Sequence, residues 1–318
     1  AAQLRDSYDA AYGGFGAAPK FPAPQTLLFL LRMAKLEGDK TLRPMAEHTL
    51  RQMYRGGIFD HLGGGFCRYA TDRAWRIPHF EKMLCDNALL LLAYVRAFRL
   101  TGKTQWLDTA KMTADYVLRE LRSPEGGFYS AQDADSQGEE GRYYLLTPEE
   151  MRSLLGEEEG EAFCAALGIE EKGYLAGGSI PHRRGPLPPE VKALLPQVRE
   201  WRAKRYPLAT DDKVLCAWNA LMIEALCELY RACGEEIYLT AAKQAQAYLD
   251  AHLREGTQLY VSFRAGKKGV RGQLSDYAAE ISALLALWGA TLEPGYPDLA
   301  EALAGKAAAG LSVRGKCG

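Results

Sequence analysis

The helices of this chain recur along it, and that recurrence limits its fold more than any other feature. Asn87-Ala88-Leu89 corresponds at a constant offset to Asn219-Ala220-Leu221, Arg99 to Arg231, Gly102 to Gly234, Trp106 to Tyr238 and Leu107 to Leu239. Ala110-Lys111, Tyr116 and Leu121 then meet Ala242-Lys243, Tyr248 and Leu253. Fainter copies set Asp86, Ala88, Thr101 and Ala110 on Asp276, Ala278, Thr291 and Ala300, and Gly102 and Ala110 on Gly38 and Ala46. Apolar spacing is helical: Leu27, Leu30, Leu31 and Ala34 share a face, as do Leu89, Leu92, Ala93 and Phe98, and Leu221, Ala225, Leu226 and Leu229. Each unit reads as a helix, a glycine stop, a second helix with a small alanine near its start, and a Gly-aromatic loop such as Gly56-Gly57-Ile58-Phe59 or Gly126-Gly127-Phe128-Tyr129. Glycine supplies the left-handed residue that ends a helix. One hairpin cannot bury its own apolar face, so such units stack.

An open solenoid and a closed α/α toroid both satisfy that pattern, and the loops separate them. Connections from a second helix to the next first helix are long and chemically loaded: 56–80, 123–147, 169–188, 206–214 and 255–276. In a toroid they gather at one end. The expected fold is therefore all-α, a six-hairpin-type α/α toroid forming one domain over 1–318. Roughly five hairpins are legible. SYDAAYGGFG reads as the tail of a hairpin and AGKAAAGLSVRGKCG carries no clear cap, so an incomplete ring or a fragment of a longer chain is expected.

Composition removes several classes of function. A net charge of −1 and no run of basic residues leave nucleic acid and membrane surfaces without an electrostatic footprint. The longest apolar stretch, Ala88 to Val95, is far short of a membrane span. The 7 cysteines contain no C-x-x-C pair, which points to reduced, buried thiols and a cytoplasmic location.

In the toroid reading the first helices start at the loaded end and aim their opening residues at the axis. Residues 77–87, IPHFEKMLCDN, predict a helix from about Phe80 with Glu81, Lys82 and Asp86 in its first two turns. The next copy opens Asp211-Asp212-Lys213 and runs to Trp218-Asn219; a third opens Leu274-Ser275-Asp276-Tyr277. Acids in a first turn complement the dipole or cap the helix, the plain reading of Asp276. Capping does not account for Lys82 and Lys213, nor for Trp75, His79, Trp218 and Tyr277 beside the acids. Aromatics among carboxylates and amides suit a sugar, whose C–H faces stack on rings while its hydroxyls take polar groups. Asp60 and Arg68 join from the segment 56–75, and Asp133 and Asp135 from GGFYSAQDADSQGEEGRYY. That last loop begins like a calcium loop but has Tyr144 where an acid is required, so no metal and no cofactor is expected. Gly63-Gly64-Gly65 lacks phosphate-loop spacing and reads as a close backbone approach. His48 and His252 read as structural or solvent-facing, and His182 as a surface residue.

In order, GGFGAAPKFP, GGIFDHLGGGFCRYATDRAWRIPHFEKMLCDNA, GGFYSAQDADSQGEEGRYY, DDKVLCAWNALMIEAL and LSDYAAEISALLALW resemble the spermatogenesis-associated, thioredoxin-domain-containing protein family over about residues 7–303. The resemblance implies a helical part similar to six-hairpin toroids such as N-acylglucosamine 2-epimerases, aldose–ketose isomerases and glycosidases. It also implies a thioredoxin-like domain ahead of this region, so that the chain would be truncated at both ends, and a shortened segment near 169–188. Fold likeness alone does not assign a reaction. Two readings follow. In a carbohydrate-active enzyme, His79 would be the base of an isomerisation with Lys82 or Arg68 steadying an enediolate, or Glu81 would pair with Asp135 or Asp212 for hydrolysis. Asp60, Arg68, Trp75, Asp86, Asp133, Lys213, Trp218, Asn219, Asp276 and Tyr277 would bind substrate. In the alternative, the chain is a non-catalytic sugar- or protein-binding module for a thioredoxin-like partner.

Overall fold

The computed structural model describes residues 2–39, 41–173, 175 and 177–311. Cys317 and the tail of the last sequence segment lie outside them. Twelve α-helices occupy the described residues: α1 (Ala2–Asp6), α2 (Pro24–Glu37), α3 (Leu42–Arg55), α4 (Leu84–Thr101), α5 (Thr104–Tyr116), α6 (Pro148–Leu155), α7 (Glu157–Leu167), α8 (Pro189–Arg205), α9 (Cys216–Cys233), α10 (Glu236–His252), α11 (Leu274–Thr291) and α12 (Gly295–Leu311). None is long and apolar enough to cross a membrane.

The repeat has the expected joints. Gly38, Gly102 and Gly234 end α2, α4 and α9 in the left-handed region, at φ 66°, 69° and 74°. At the equivalent place after α11 stands Leu292, held at φ 61°, a conformation that costs an L side chain about 1–2 kcal/mol. The small residues that open the second helices, Ala46, Ala110, Ala242 and Ala300, are all buried. At the Gly-aromatic loop after α3, a Cβ on Gly56 or Gly57 would lie 2.2 Å from the Trp75 carbonyl oxygen or 2.1 Å from that of Arg76. Glycine is required there for the returning chain to pass.

The chain divides into two compact units. The first comprises Ala1–Asp86, Arg96–Lys103 and Gln132–Ala209; the second comprises Asn87–Val95, Thr104–Ala131 and Thr210–Gly318. Within the second, α9 packs along α11 and each pairs with its own second helix, α10 or α12. Within the first, α2 pairs with α3, and α6, α7 and α8 enclose a core that includes Met151, Phe163, Leu167, Val191 and Val198.

The long loops carry short strands that the helical pattern does not announce. Tyr69–Ala70 pairs antiparallel with Pro78–His79, in the register Tyr69↔His79. Asp135–Ser136 pairs with Glu139–Glu140 across a two-residue turn, Gln137-Gly138, with both φ positive (54° and 80°). One expectation is corrected here: α4 begins at Leu84 rather than near Phe80, because residues 78–83 are extended up to the N-cap Met83 (φ −93°, ψ 142°). Burial along this stretch alternates with period two. Phe80 and Lys82 are 2% and 1% exposed, whereas the His79 and Glu81 side chains keep 27% and 28% of their surface. Alternation of this kind belongs to a strand, not to a helical turn.

Candidate active site

The inward side of this stretch carries charge, and the fold consumes it. Lys82 Nζ donates to Asp60 Oδ2 at 2.8 Å and to the Gly64 carbonyl at 2.9 Å. Arg202 from α8 clamps the same carboxylate with two hydrogen bonds of 2.9 and 2.7 Å and lies over the rings of Tyr143 and Tyr144. Burial alone would raise the Asp60 carboxyl, but Arg202 and Lys82 hold it well below the usual range. Burial in turn lowers Lys82, with Asp60 opposing. The glycine run serves this cluster: a Cβ on Gly63 would sit 2.7 Å from Asp60 Oδ2 and 2.8 Å from Arg202 Nη2.

Asp60 and Lys82, expected to meet substrate, are therefore internal supports. Trp75 is likewise fully buried, at φ 64°, with its indole N–H donating to the Tyr12 carbonyl at 2.9 Å. His182 is also buried rather than at the surface. Its Nδ1 donates to the Ile180 carbonyl at 3.1 Å and its Nε2 accepts from Arg76 at 2.7 Å. Cys67 lies deep in the same region, and burial pushes its thiol up to about 12, which leaves it inert as a nucleophile.

The outward side faces solvent. His79 Nδ1 donates to Glu140 Oε1 at 2.7 Å, and its Nε2 lies 3.7 Å from Glu81 Oε2. Arg68 reaches the same Glu81 oxygen at 3.3 Å. The imidazole stacks on Tyr69 (centroids 5.1 Å apart, planes at 26°), and Tyr69 continues to the half-exposed Phe21 at 4.8 Å. A ledge of three rings thus borders a group of carboxylates. Asp135 is the cross-strand neighbour of Glu140 and remains exposed, and Asp133 Oδ1 accepts from the Asp135 N–H at 3.2 Å.

Asp86 behaves differently from the other acids. In the first turn of α4 the helix dipole favours a carboxylate, yet burial pushes this carboxyl up to about 6. Arg68 opposes the shift and the Glu81 charge adds to it. Its Oδ2 is buried with no hydrogen-bond partner among the described residues. Asp86, protonated below about pH 6, and the ion-paired Glu81 are two carboxyl groups in different environments, the usual mark of an acid and a base at work.

The remaining expected residues belong to the second unit. Asn219 is fully buried and ties down the Gly-aromatic loop: its Nδ2 donates to the carbonyls of Phe128 (2.9 Å) and Leu215 (3.0 Å), and its Oδ1 accepts from the Phe128 N–H at 2.7 Å. Asp276 closes a capping box at the start of α11 through the Gln273 N–H at 2.8 Å, as the plain reading had it. Tyr277 is buried, with its hydroxyl accepting from the Leu259 N–H at 3.3 Å. Asp212 pairs with Arg264 at 2.5 Å and Lys213 with Asp211 at 2.9 Å, all largely exposed, and Trp218 is half-buried. Phe21 is not singled out from the sequence, and Tyr69 and Glu140, offered by the segments 56–75 and 126–144, are given no role of their own. Reading 67–83 as paired strands would have placed Tyr69 on His79.

No family model matches the chain. It is 35% identical over 354 aligned positions to mouse spermatogenesis-associated protein 20, covering 94% of this chain and 44% of that protein. It thus spans less than half the length of this curated relative. Among solved structures it is similar to a family 76 glycoside hydrolase (mannosidase) from Bacteroides thetaiotaomicron, with a TM-score of 0.55 at 13% identity over 94% of this chain and 63% of that one. It is also similar to an unsaturated glucuronyl hydrolase specific for heparin, with a TM-score of 0.54 at 15% identity over 88% and 60% of the two chains. At such identities the likeness shows the fold, which is the six-hairpin α/α toroid class.

Proposed function

We propose that this chain, which belongs to the spermatogenesis-associated protein 20 family, is a carbohydrate-active enzyme that works with the outward side of residues 79–86. The observation that carries the reading is the carboxyl pair: Asp86 with its affinity for a proton raised to about 6, and Glu81 held by Arg68 next to His79. The resemblance in fold to two hydrolases of sugars supports it by analogy alone.

The arrangement suits glycoside hydrolysis. Asp86 gives its proton to the departing oxygen as the glycosidic C–O bond breaks. Glu81 either takes a proton from the attacking water or adds to the sugar carbon, according to how far apart the two carboxyls stand. The Phe21–Tyr69 ledge offers ring faces to the C–H surface of the sugar. Asp133 and Asp135 flank the site as further acceptors for hydroxyls. A second reading, isomerisation with His79 as base, draws on the contact to Glu140, which orients the imidazole. Arg68 would then steady the enediolate, since Lys82 is committed to Asp60. A thioredoxin-like domain as partner and a cytoplasmic location are part of the proposal, resting on the family resemblance and on the cysteines among the described residues, which are unpaired and mostly buried.

Turnover of an aryl-glycoside panel and of reducing sugars by wild type, Asp86→Asn, Glu81→Gln and His79→Ala tests the assignment. Hydrolysis predicts a loss of about 100-fold in each carboxyl variant. Loss in His79→Ala with Glu81→Gln intact selects isomerisation. Sugar binding without any turnover selects the non-catalytic module.

A further inference from the structure

Beside His79 the first unit holds a cavity of about 330 Å³ that no step above uses. Its walls include Glu139, Glu140, Glu150, Arg142, Arg205 and Tyr206. Glu140 belongs to both places, lining the cavity while one of its oxygens accepts from His79. The volume falls in the range of small-molecule sites.

The charges of the walls restrict what can enter. Arg205 is already engaged: Nη1 donates to Glu150 at 2.6 Å, and Nη2 donates to the carbonyls of Leu145 (2.6 Å), Tyr143 (3.2 Å) and Arg142 (3.4 Å), while its Nε, unpartnered among the described residues, is buried away from the cavity's solvent. Arg142 is paired with Glu139 at 3.3 Å and lies over the Tyr206 ring at 4.8 Å, with Arg205 on that ring at 4.9 Å. Both guanidinium groups are thus neutralised within the wall, and three carboxylates face two cations. An entering carboxylate or phosphate would find no free cation and would meet Glu139 and Glu140 at close range. Hydroxyl groups meet the opposite situation, because carboxylate oxygens accept their protons. The Tyr206 ring is covered by arginines, so recognition here is by hydrogen bonds rather than by stacking.

We infer that this cavity is a subsite for an uncharged sugar ring and that it discriminates against uronic acids and sugar phosphates. The inference rests on the carbohydrate reading above and narrows its substrate class.

Calorimetric titration of the intact chain at pH 7 tests it, with methyl α-mannoside and methyl α-glucoside set against methyl glucuronide and mannose 6-phosphate. A neutral sugar should bind at least about tenfold more tightly than its acidic counterparts. Glu139→Gln, which removes one wall charge outside the proposed acid–base pair, should shrink that preference several-fold. Equal or tighter binding of glucuronide or sugar phosphate overturns this inference and leaves the carbohydrate reading standing. No binding of any of the four by a chain of wild-type melting temperature overturns both.

Discussion

Phe80 and Lys82 face one way and His79 and Glu81 the other, although they are consecutive neighbours in one short extended stretch. The inward pair is almost inaccessible, and its lysine completes a buried ion cluster with Asp60 and Arg202. The outward pair holds its charges at the surface against Arg68 and Glu140. Residue type does not separate the two groups, since each contains carboxylate and cation. Their surroundings separate them. Inside, Asp60 has two cations and stays ionised; at the rim, Asp86 is mostly buried without a dedicated cation and holds its proton up to about pH 6. The first arrangement is suited to holding loops in place and the second to transferring protons.

The largest expected difference is in stability. Lys82→Met leaves a buried carboxylate short of one partner and should cost about 3–5 kcal/mol in denaturant unfolding. His79→Ala should stay within about 1 kcal/mol of wild type, as for other exposed ion pairs. Equal losses would erase the distinction between the two faces. Turnover should respond the other way, with the roughly 100-fold losses of Asp86→Asn and Glu81→Gln accompanied by no fall in melting temperature.

The pH dependence sharpens the contrast further. The Asp86 carboxyl ordinarily titrates near 3.8 and is raised to about 6 in the fold. Its contribution to stability is complete below about 3.8 and is lost as pH rises through about 6. Asp86→Asn should therefore gain about 2 kcal/mol on wild type between pH 4 and pH 8 in paired unfolding curves. A variant whose difference from wild type is the same at both pH values would show that the carboxyl is not strained. The smallest effect is expected at the ledge. Phe21→Ala removes a half-exposed ring, should leave stability near wild type, and should weaken sugar affinity by about three- to tenfold.

The helical frame was legible in the sequence because its signals are local and repeated. Glycines at 38, 102 and 234 and alanines at 46, 110, 242 and 300 occupy the predicted joints. The site was legible only as a neighbourhood. Residues 77–87 were singled out, but a helical period put His79, Glu81, Lys82 and Asp86 together, where the strand period divides them. Lys82, Asp60 and Trp75 could not be told from binding residues because their partners, Arg202 and the Tyr12 carbonyl, are far away in sequence. Asn219 has the composition of a ligand-binding residue and the job of a loop anchor. The two-residue strands that bring Tyr69 and Glu140 to His79 are too short to leave a periodic trace.

The chain has five histidines, so their side-chain nitrogen resonances can be followed one by one as a bound sugar is titrated in. The account predicts that His79 moves on saturation while His61 and His182, sealed within the first unit, stay where they are. A silent His79 in the presence of a sugar that binds would place the site elsewhere and contradict it.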